Sequence, residues 1–398
     1  MEKILIVSNY YPPEKGAAAN RIEQLALKLH QNKYEVTVLC PLANYPKGEL
    51  FKEYKGKISV TENRGGITVK RLWVYPSVSK NILIRVISVM SFVLGLFFYL
   101  LFKKTPQKVV IQSPPLLVSF VAILVLSFKK KKIILNISDL WPLAAIELKA
   151  LKENSISHKI SLFFEKYIYK KATVVLAQSH EIINHVKTIV PHKTCYLYRN
   201  FPEHSHSQVQ TTSTNTQEAD KPIKIFYAGL LGIAQGIAEL CKKIDLSHLN
   251  IEWHIFGDGA EKNEILAFIE ANTVSKIVFH GMIERNKLHD MLKDFDIALV
   301  PLKTRIYGSV PSKIFEYAAL GFPILYFGGG EGEDIVNKHK LGWVVPVENY
   351  VQLNVQLREI SLLDRQELSQ IKKDVFDTAK NNFNLQTQVK NLIESDVF

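Results

Sequence analysis

Pro311-Ser312-Lys313-Ile314-Phe315-Glu316-Tyr317-Ala318-Ala319-Leu320-Gly321-Phe322-Pro323-Ile324 reads as a helix that ends just before a strand. Pro311 and Ser312 suit a first helical turn, and Gly321 followed by Pro323 stops the helix. Apolar runs flank it at 296–301 and 323–327, each too short for a helix and consistent with buried strands. A strand, a helix and a second strand in succession form the repeating unit of a parallel sheet.

The same alternation runs outward in both directions. Strand candidates in the first half are 3–8, 35–39, 67–73, 108–112, 133–137, 173–177 and 194–198. Those in the second half are 223–227, 252–256, 277–279, 296–301, 323–327 and 343–345. Between the first two, Ile22, Leu25, Ala26 and Leu29 recur at helical spacing. Strands buried on both faces and separated by helices predict an α/β protein. A chain of 398 residues exceeds one comfortable core, so two domains are expected, 1–200 and 222–382. The stretch 203–221 is rich in Ser, Thr, Gln and His and reads as a polar linker or loop. Residues 383–398 are expected to form a helix that packs back on the first domain.

Composition excludes several classes. Cys40, Cys195 and Cys241 are widely spaced, which supports neither a zinc motif nor a disulfide framework. The N-terminus passes from Met1-Glu2-Lys3 directly into Ile4-Leu5-Ile6-Val7, too short an apolar run for a secretory signal. Net charge is +12, which favours anionic partners. The basic residues are not interleaved with aromatics, so nucleic acid is not an expected partner. They flank greasy segments instead: Lys80 and Arg85 before 86–102, Lys103 and Lys104 after it, and Lys129 to Lys132 after 116–128. That pattern points to an anionic membrane surface. Residues 86–102 carry no charge over 17 positions, close to the ~20 that a spanning helix needs. A span would place strands 108–112 and 133–137 across the bilayer from the first two. An ordinary buried helix and an in-plane membrane helix over about 82–102 remain alongside it.

Ligands of open α/β sheets collect beyond the carboxyl ends of strands, where small residues let a backbone approach. After the first strand come Gly16-Ala17-Ala18-Ala19 and then Arg21. The second domain opens with Tyr227-Ala228-Gly229-Leu230-Leu231-Gly232, and the next strand ends in Phe256-Gly257-Asp258-Gly259. Each is also compatible with a plain turn. Ser312 and Lys313 lie at a helix N-terminus, a good place for a diphosphate, and Glu316 shares their face one turn on. The alternative there is a helix cap with an i,i+3 ion pair. Asp294-Phe295-Asp296 has the form of a metal-binding D-x-D, but Asp296 at a strand entrance reads better as a boundary residue.

Taken in order, Pro12-Pro13-Glu14…Gly16, Asp139-Leu140-Trp141-Pro142, Tyr227-Ala228-Gly229, Phe256-Gly257-Asp258-Gly259 and Pro311-Ser312-Lys313…Glu316-Tyr317…Gly321-x-Pro323 resemble glycosyltransferase family 4. Within it the chain is similar to the bacterial amino-deoxysugar transferases of O-antigen and capsule assembly. The resemblance implies a GT-B fold, two Rossmann-like parallel-sheet domains facing across a cleft. It implies metal-independent transfer, with retention, of a hexosyl or N-acetylhexosaminyl group, including amino- and deoxy-amino sugars. The nucleotide-sugar donor, a UDP-sugar by preference, would bind the second domain, and a lipid-linked saccharide acceptor the first. The setting implied is the cytoplasmic face of the inner membrane, in peripheral or monotopic attachment. By that likeness Glu316 binds ribose, Ser312 and Lys313 the diphosphate, and Gly229, Gly232, Gly257 and Asp258 surround the donor. Gly281 and Ile283 line the base with His280, Gly16 and Arg21 approach from the first domain, and Asp139 faces the reacting sugar or the acceptor hydroxyl.

The chain departs from the family where cations usually follow the first glycine of the second domain. Leu230, Ile233 and Gln235 stand there, Gly308 replaces an upstream glutamate, and Ser138 replaces a histidine. Lys313, Arg305 or Arg21 would then supply the positive charge. Two other readings stay open: a catalytically inactive, membrane-bound nucleotide-sugar-binding protein, and a GT-B nucleotide-sugar 2-epimerase.

Overall fold

The structure is a computed structural model that describes residues 1–79, 81–203, 221–272 and 275–398. Lys80 and residues 204–220 of the expected polar linker lie outside the described residues. The chain divides into two compact units, Met1–Asn200 with Ile306–Ser309 and Gln386–Phe398, and Phe201–Arg305 with Val310–Leu385.

In the first unit the order is β1 (Glu2–Val7), α1 (Ala17–Gln31), β2 (Tyr34–Pro41), β3 (Ser59–Arg64), β4 (Ile67–Leu72) and α2 (Ile82–Phe102). It continues through β5 (Lys108–Ser113), α3 (Leu116–Phe128), β6 (Lys132–Ile137), α4 (Leu143–Glu147), α5 (Ile156–Lys171), β7 (Val174–Ala177), α6 (His180–Ile189) and β8 (Cys195–Leu197). The strands form one sheet in the order β3-β4-β2-β1-β5-β6-β7-β8. Only β3 runs antiparallel to its neighbour. Strand β3 was not anticipated. Its residues alternate between exposed and half-buried, and Glu62 and Arg64 break any apolar signal. It adheres because Glu62 pairs with Arg71 of β4 at 2.8 Å, and Arg71 is fully buried against the Tyr54 ring.

The greasy helix resolves into two faces. Phe92, Val93, Leu96 and Leu100 enter the core of the first unit, while Leu83, Val86, Ile87, Met90, Leu94 and Phe98 remain exposed. Strand β5, after α2, pairs with β1, before it, so the sheet continues across the helix. Among the described residues no helix is long and apolar enough to cross a membrane.

The second unit runs β9 (Ile223–Leu230), α7 (Ile237–Lys243), β10 (Ile251–Asp258), α8 (Lys262–Ala271), β11 (Ile277–Gly281), α9 (Arg285–Met291) and β12 (Ile297–Pro301). Then come α10 (Ser312–Ala319), β13 (Ile324–Phe327), α11 (Glu331–Lys338), β14 (Gly342–Val345), α12 (Tyr350–Ser361) and α13 (Arg365–Asn382). Its sheet is wholly parallel, β11-β10-β9-β12-β13-β14. One core cluster is aromatic: fully buried Phe226 meets Phe295, Tyr317 and Phe322 with ring centroids at 5.7, 5.0 and 5.0 Å. Replacing such a side chain by alanine costs about 3–5 kcal/mol. Because Tyr317 belongs to α10, this cluster fixes that helix against β9.

Two short segments join the first unit from afar in sequence. After α14 (Leu385–Glu394), the Phe398 carbonyl accepts a bond from Tyr34 Oη at 3.3 Å, and Asp396 pairs with Lys132 at 3.1 Å. Residues 306–309 are held by Glu147, Ser179 and Glu181: Gly308 N donates to Glu181 Oε2 at 2.7 Å and Ser179 Oγ donates to the Gly308 carbonyl at 2.7 Å. A Cβ at Gly308 would fall 2.9 Å from Ile182 and 3.2 Å from Leu140. Close approach to α6 therefore accounts for a glycine where the resemblance leads one to expect a glutamate.

Candidate functional site

Among the parallel strands of each sheet the chain order reverses at one place, between β1 and β5 in the first unit and between β9 and β12 in the second. Such switch points leave a crevice beyond the strand ends.

In the second unit that crevice is bounded by the Ala228–Gly229 end of β9 and the start of α10, which follows β12. Ile314, Phe315, Tyr317 and Ala318 are buried, so Ser312, Lys313 and Glu316 are left together on the half-buried face. Tyr317 Oη donates to the Ala228 carbonyl at 2.8 Å, and Lys313 Nζ bonds the same oxygen and lies 3.2 Å from Tyr317 Oη. A Cβ on Gly229 would sit 2.8 Å from Lys313 Cε and 3.0 Å from Tyr227 Oη, so only glycine leaves the lysine its place. No side chain caps the N-terminus of α10, and no acid occupies its first turn. Helix α7 differs. Glu239 stands in its first turn, and Glu261 Oε2 accepts from Ala238 N at 3.2 Å. Glu239 is paired with Lys303, so at that terminus the charges are already matched, whereas α10 carries Lys313 with no acid in its first turn.

The other candidates of this unit fall into two groups. Gly257, with φ +150°, and Gly259, with φ +157°, are required by backbone packing: their Cβ atoms would lie 1.9 Å from the Gly229 carbonyl and 2.4 Å from that of Leu231. Asp258 accepts from Gly259 N at 2.9 Å and pairs with Lys262 at 3.4 Å, both local turn contacts. Gly232 begins a turn closed by Gln235 N at 3.0 Å. Asp296 is a boundary ion pair, bonded to Lys224 N at 2.9 Å, Arg365 at 3.1 Å and Lys372 at 3.2 Å. Near the end of β11, Gly281 has φ +72° and Ile283 is partly buried against the aromatic core. His280 stacks on Phe256 at 4.3 Å, and its Nε2 lies 2.9 Å from His254 Nδ1. Burial lowers the proton affinity of both imidazoles, with the His254 charge adding to the effect at His280. Leu230 and Ile233 are exposed, at 67% and 72%.

In the first unit Gly16 immediately precedes α1, again with no side-chain cap and no acid in the first turn. The nearest atom to a Cβ there would be Tyr45 Cε1 at 3.9 Å, leaving room for a ligand. Glu14 holds this loop in shape. Buried at 2% exposure, it accepts from Asn44 N and Tyr45 N at 3.0 Å each and from Tyr11 N at 3.3 Å. Arg21 is buried, at 3% exposure. Its guanidinium bonds Asn136 at 2.9 Å, the Tyr198 carbonyl at 2.6 Å and Asn200, while Nε is buried without a partner. Burial brings its pKa down to about 10. From Asn136 the chain of bonds continues through Gln112 at 2.7 Å to Ser138 at 3.0 Å, beside Asp139. Burial raises the Asp139 carboxyl above its usual range, with Ser138 and Arg21 pulling the other way. Sequence reasoning did not pick out Gln112 and Asn136. Their signal was present: each is a polar residue near the end of an apolar strand, and the two are paired in register.

Residues 209–375 match the family model described as Glycosyl transferases group 1. The putative colanic acid biosynthesis glycosyltransferase WcaL of Escherichia coli (strain K12) is 25% identical over 172 residues, 42% of this chain and 42% of that protein. The match thus spans less than half the length of that relative. The sucrose-phosphate synthase of Thermosynechococcus elongatus superposes with TM-score 0.73 at 15% identity, over 100% of this chain and 98% of that one. Anabaena HepE, solved in complex with UDP, gives TM-score 0.68 at 12% identity over 99% of each chain. The chain therefore has the two-domain GT-B fold, and the glycosyltransferase resemblance read from its motifs is borne out.

Proposed function

We propose that this chain, a GT-B protein matching the glycosyl transferases group 1 model over residues 209–375, is a retaining glycosyltransferase of cell-surface polysaccharide assembly. It takes a sugar, an N-acetylated amino or deoxy-amino sugar by preference, from a UDP-sugar and moves it to a lipid-linked saccharide at the cytoplasmic face of the membrane. The observation that carries the reading is the start of α10. Its uncapped N-terminus, Ser312, Lys313 and Glu316 share one partly open face beside Gly229. UDP in the HepE complex and the colanic acid relative support the donor class and the setting by analogy.

Departure of the sugar leaves negative charge on the diphosphate, and fixed backbone N–H groups with one lysine stabilise it without reorganising. Glu316 offers a carboxylate to the ribose hydroxyls. The departing phosphate takes the acceptor proton on the same face, so no metal and no separate base are needed. Asp139 then positions the acceptor or stabilises charge on the ring. Lysines beside exposed apolar residues of α2 serve membrane attachment.

A panel of UDP-, GDP- and TDP-sugars tests the donor, because a bound ligand raises the melting temperature. A rise with UDP-sugars and transfer of label into a lipid fraction are expected. The exposed Leu230 and Ile233, where the family resemblance leads one to expect cations, favour a second reading, a binding protein without turnover. Binding without transfer would establish it, and epimerisation without acceptor would indicate an epimerase.

A further inference from the structure

An apolar groove of about 620 Å³ opens between α2 and the β3–β4 hairpin. Its walls include Leu72, Trp73 and Tyr75 on one side and Ile87, Met90 and Leu94 on the other. Gly95 faces Leu72 where the helix meets β4, and a Cβ there would make an ordinary contact with it at 3.8 Å. Tyr75 N donates to Ser91 Oγ at 2.8 Å, which removes a polar group from the wall. Trp73 is 44% exposed and Met90 37%, so the groove faces outward rather than closing as core.

Position and charge indicate an occupant. Strand β4 runs parallel to β2, with Leu72 level with Pro41, so Leu72 and Trp73 lie at the carboxyl edge of the sheet. The loop carrying Gly16 follows β1 at that same edge, and Asp139 follows β6 there. Ile58, which also lines the groove, adjoins exposed Lys57 and Lys55, and Ser59 pairs with Leu72, so these lysines lie at that same edge. An apolar trough with a cationic rim complements a hydrocarbon chain esterified to phosphate. The trough is continuous with the exposed apolar side of α2, which gives such a chain a way in from a bilayer.

We propose that this groove seats the hydrocarbon chain of the lipid-linked acceptor, next to the lysines that meet its phosphate. The inference rests on the acceptor being lipid-linked, as proposed above. The groove measures the acceptor by its tail, whereas the strand-end loops measure its sugar.

Geranylgeranyl phosphate, kept below its micelle concentration, is titrated into the full chain, with intrinsic fluorescence as readout and Trp73→Phe to assign the signal. Ile87→Glu with Met90→Glu places carboxylates in the groove at exposed positions, where folding tolerates them. Binding is expected to weaken at least tenfold in that double variant and to persist in Phe98→Glu, which alters α2 outside the groove. Unchanged binding in the double variant overturns the proposal. So does equal weakening by Phe98→Glu, or equal competition by lysophosphatidylglycerol, either of which marks a general lipid contact. UDP is titrated in parallel. If UDP raises the melting temperature equally in all variants while the probe fails to bind the wild type, the groove assignment alone falls. If UDP has no effect on the wild type, the transferase reading falls instead.

Discussion

The side chain of Lys313 lies over Gly229 so closely that a methyl group on the glycine would fall 2.8 Å from Lys313 Cε. The glycine at the end of β9 and the lysine at the start of α10 therefore work as a pair. Gly229→Ala displaces a flexible side chain, a small cost to folding. We expect a melting temperature within a few degrees of wild type and transfer reduced about tenfold. Lys313→Ala removes the charge altogether, and loss of one fixed donor to a developing anion costs roughly a hundredfold in turnover. Initial rates with a UDP-sugar, alongside thermal melts, check both variants.

Glu316→Gln keeps shape and removes the charge proposed to orient the ribose. The donor KM is expected to rise on the order of tenfold with a smaller change in kcat, the signature of lost binding rather than lost chemistry. An unchanged KM would remove Glu316 from the donor site.

The pH profile reports on Asp139. Burial holds its carboxyl above the ordinary value of 3.8, and Arg21 opposes that rise. If the carboxylate is the active form, activity is lost in acid at a higher pH than an ordinary aspartate would give. Arg21→Met should move that acid limb further up, because a charge favouring the carboxylate is gone. A downward movement would contradict the coupling.

Stability has its own acid dependence. His254 and His280 both titrate below 6.5, chiefly through burial, so the unfolded chain binds more protons than the folded one just below that pH. Their contribution is complete above pH 6.5 and is lost as pH falls through their lowered values. His254→Gln should flatten the fall in melting temperature below pH 6.5, measured by calorimetry.

What was legible followed hydrophobic pattern. The strand cores at 3–8, 108–112 and 133–137 lie within a residue of the observed β1, β5 and β6, because buried parallel strands are nearly continuous apolar runs. Strand β3 was illegible because an edge hairpin held by the Glu62–Arg71 ion pair carries no such run. Helix α2 read as greasy, yet among its described residues Phe92, Val93, Leu96 and Leu100 are the ones buried in the core. Sequence alone does not separate an apolar face that meets protein from one that is left exposed. The small residues of the candidate site were visible, but not why each is small. Gly257 yields to the Gly229 carbonyl and Gly308 to Ile182, while Gly16 leaves space open. Such distinctions depend on contacts between residues far apart in sequence.

The central claim is that a nucleoside diphosphate rests on the N-terminal turn of α10, against Lys313 and Glu316. Calorimetric titration of UDP into the wild type and into Lys313→Ala with Glu316→Ala tests it directly. Saturable binding by the wild type, weakened at least a hundredfold in the folded double variant, is the expected result. Equal affinity in the two proteins would contradict the account.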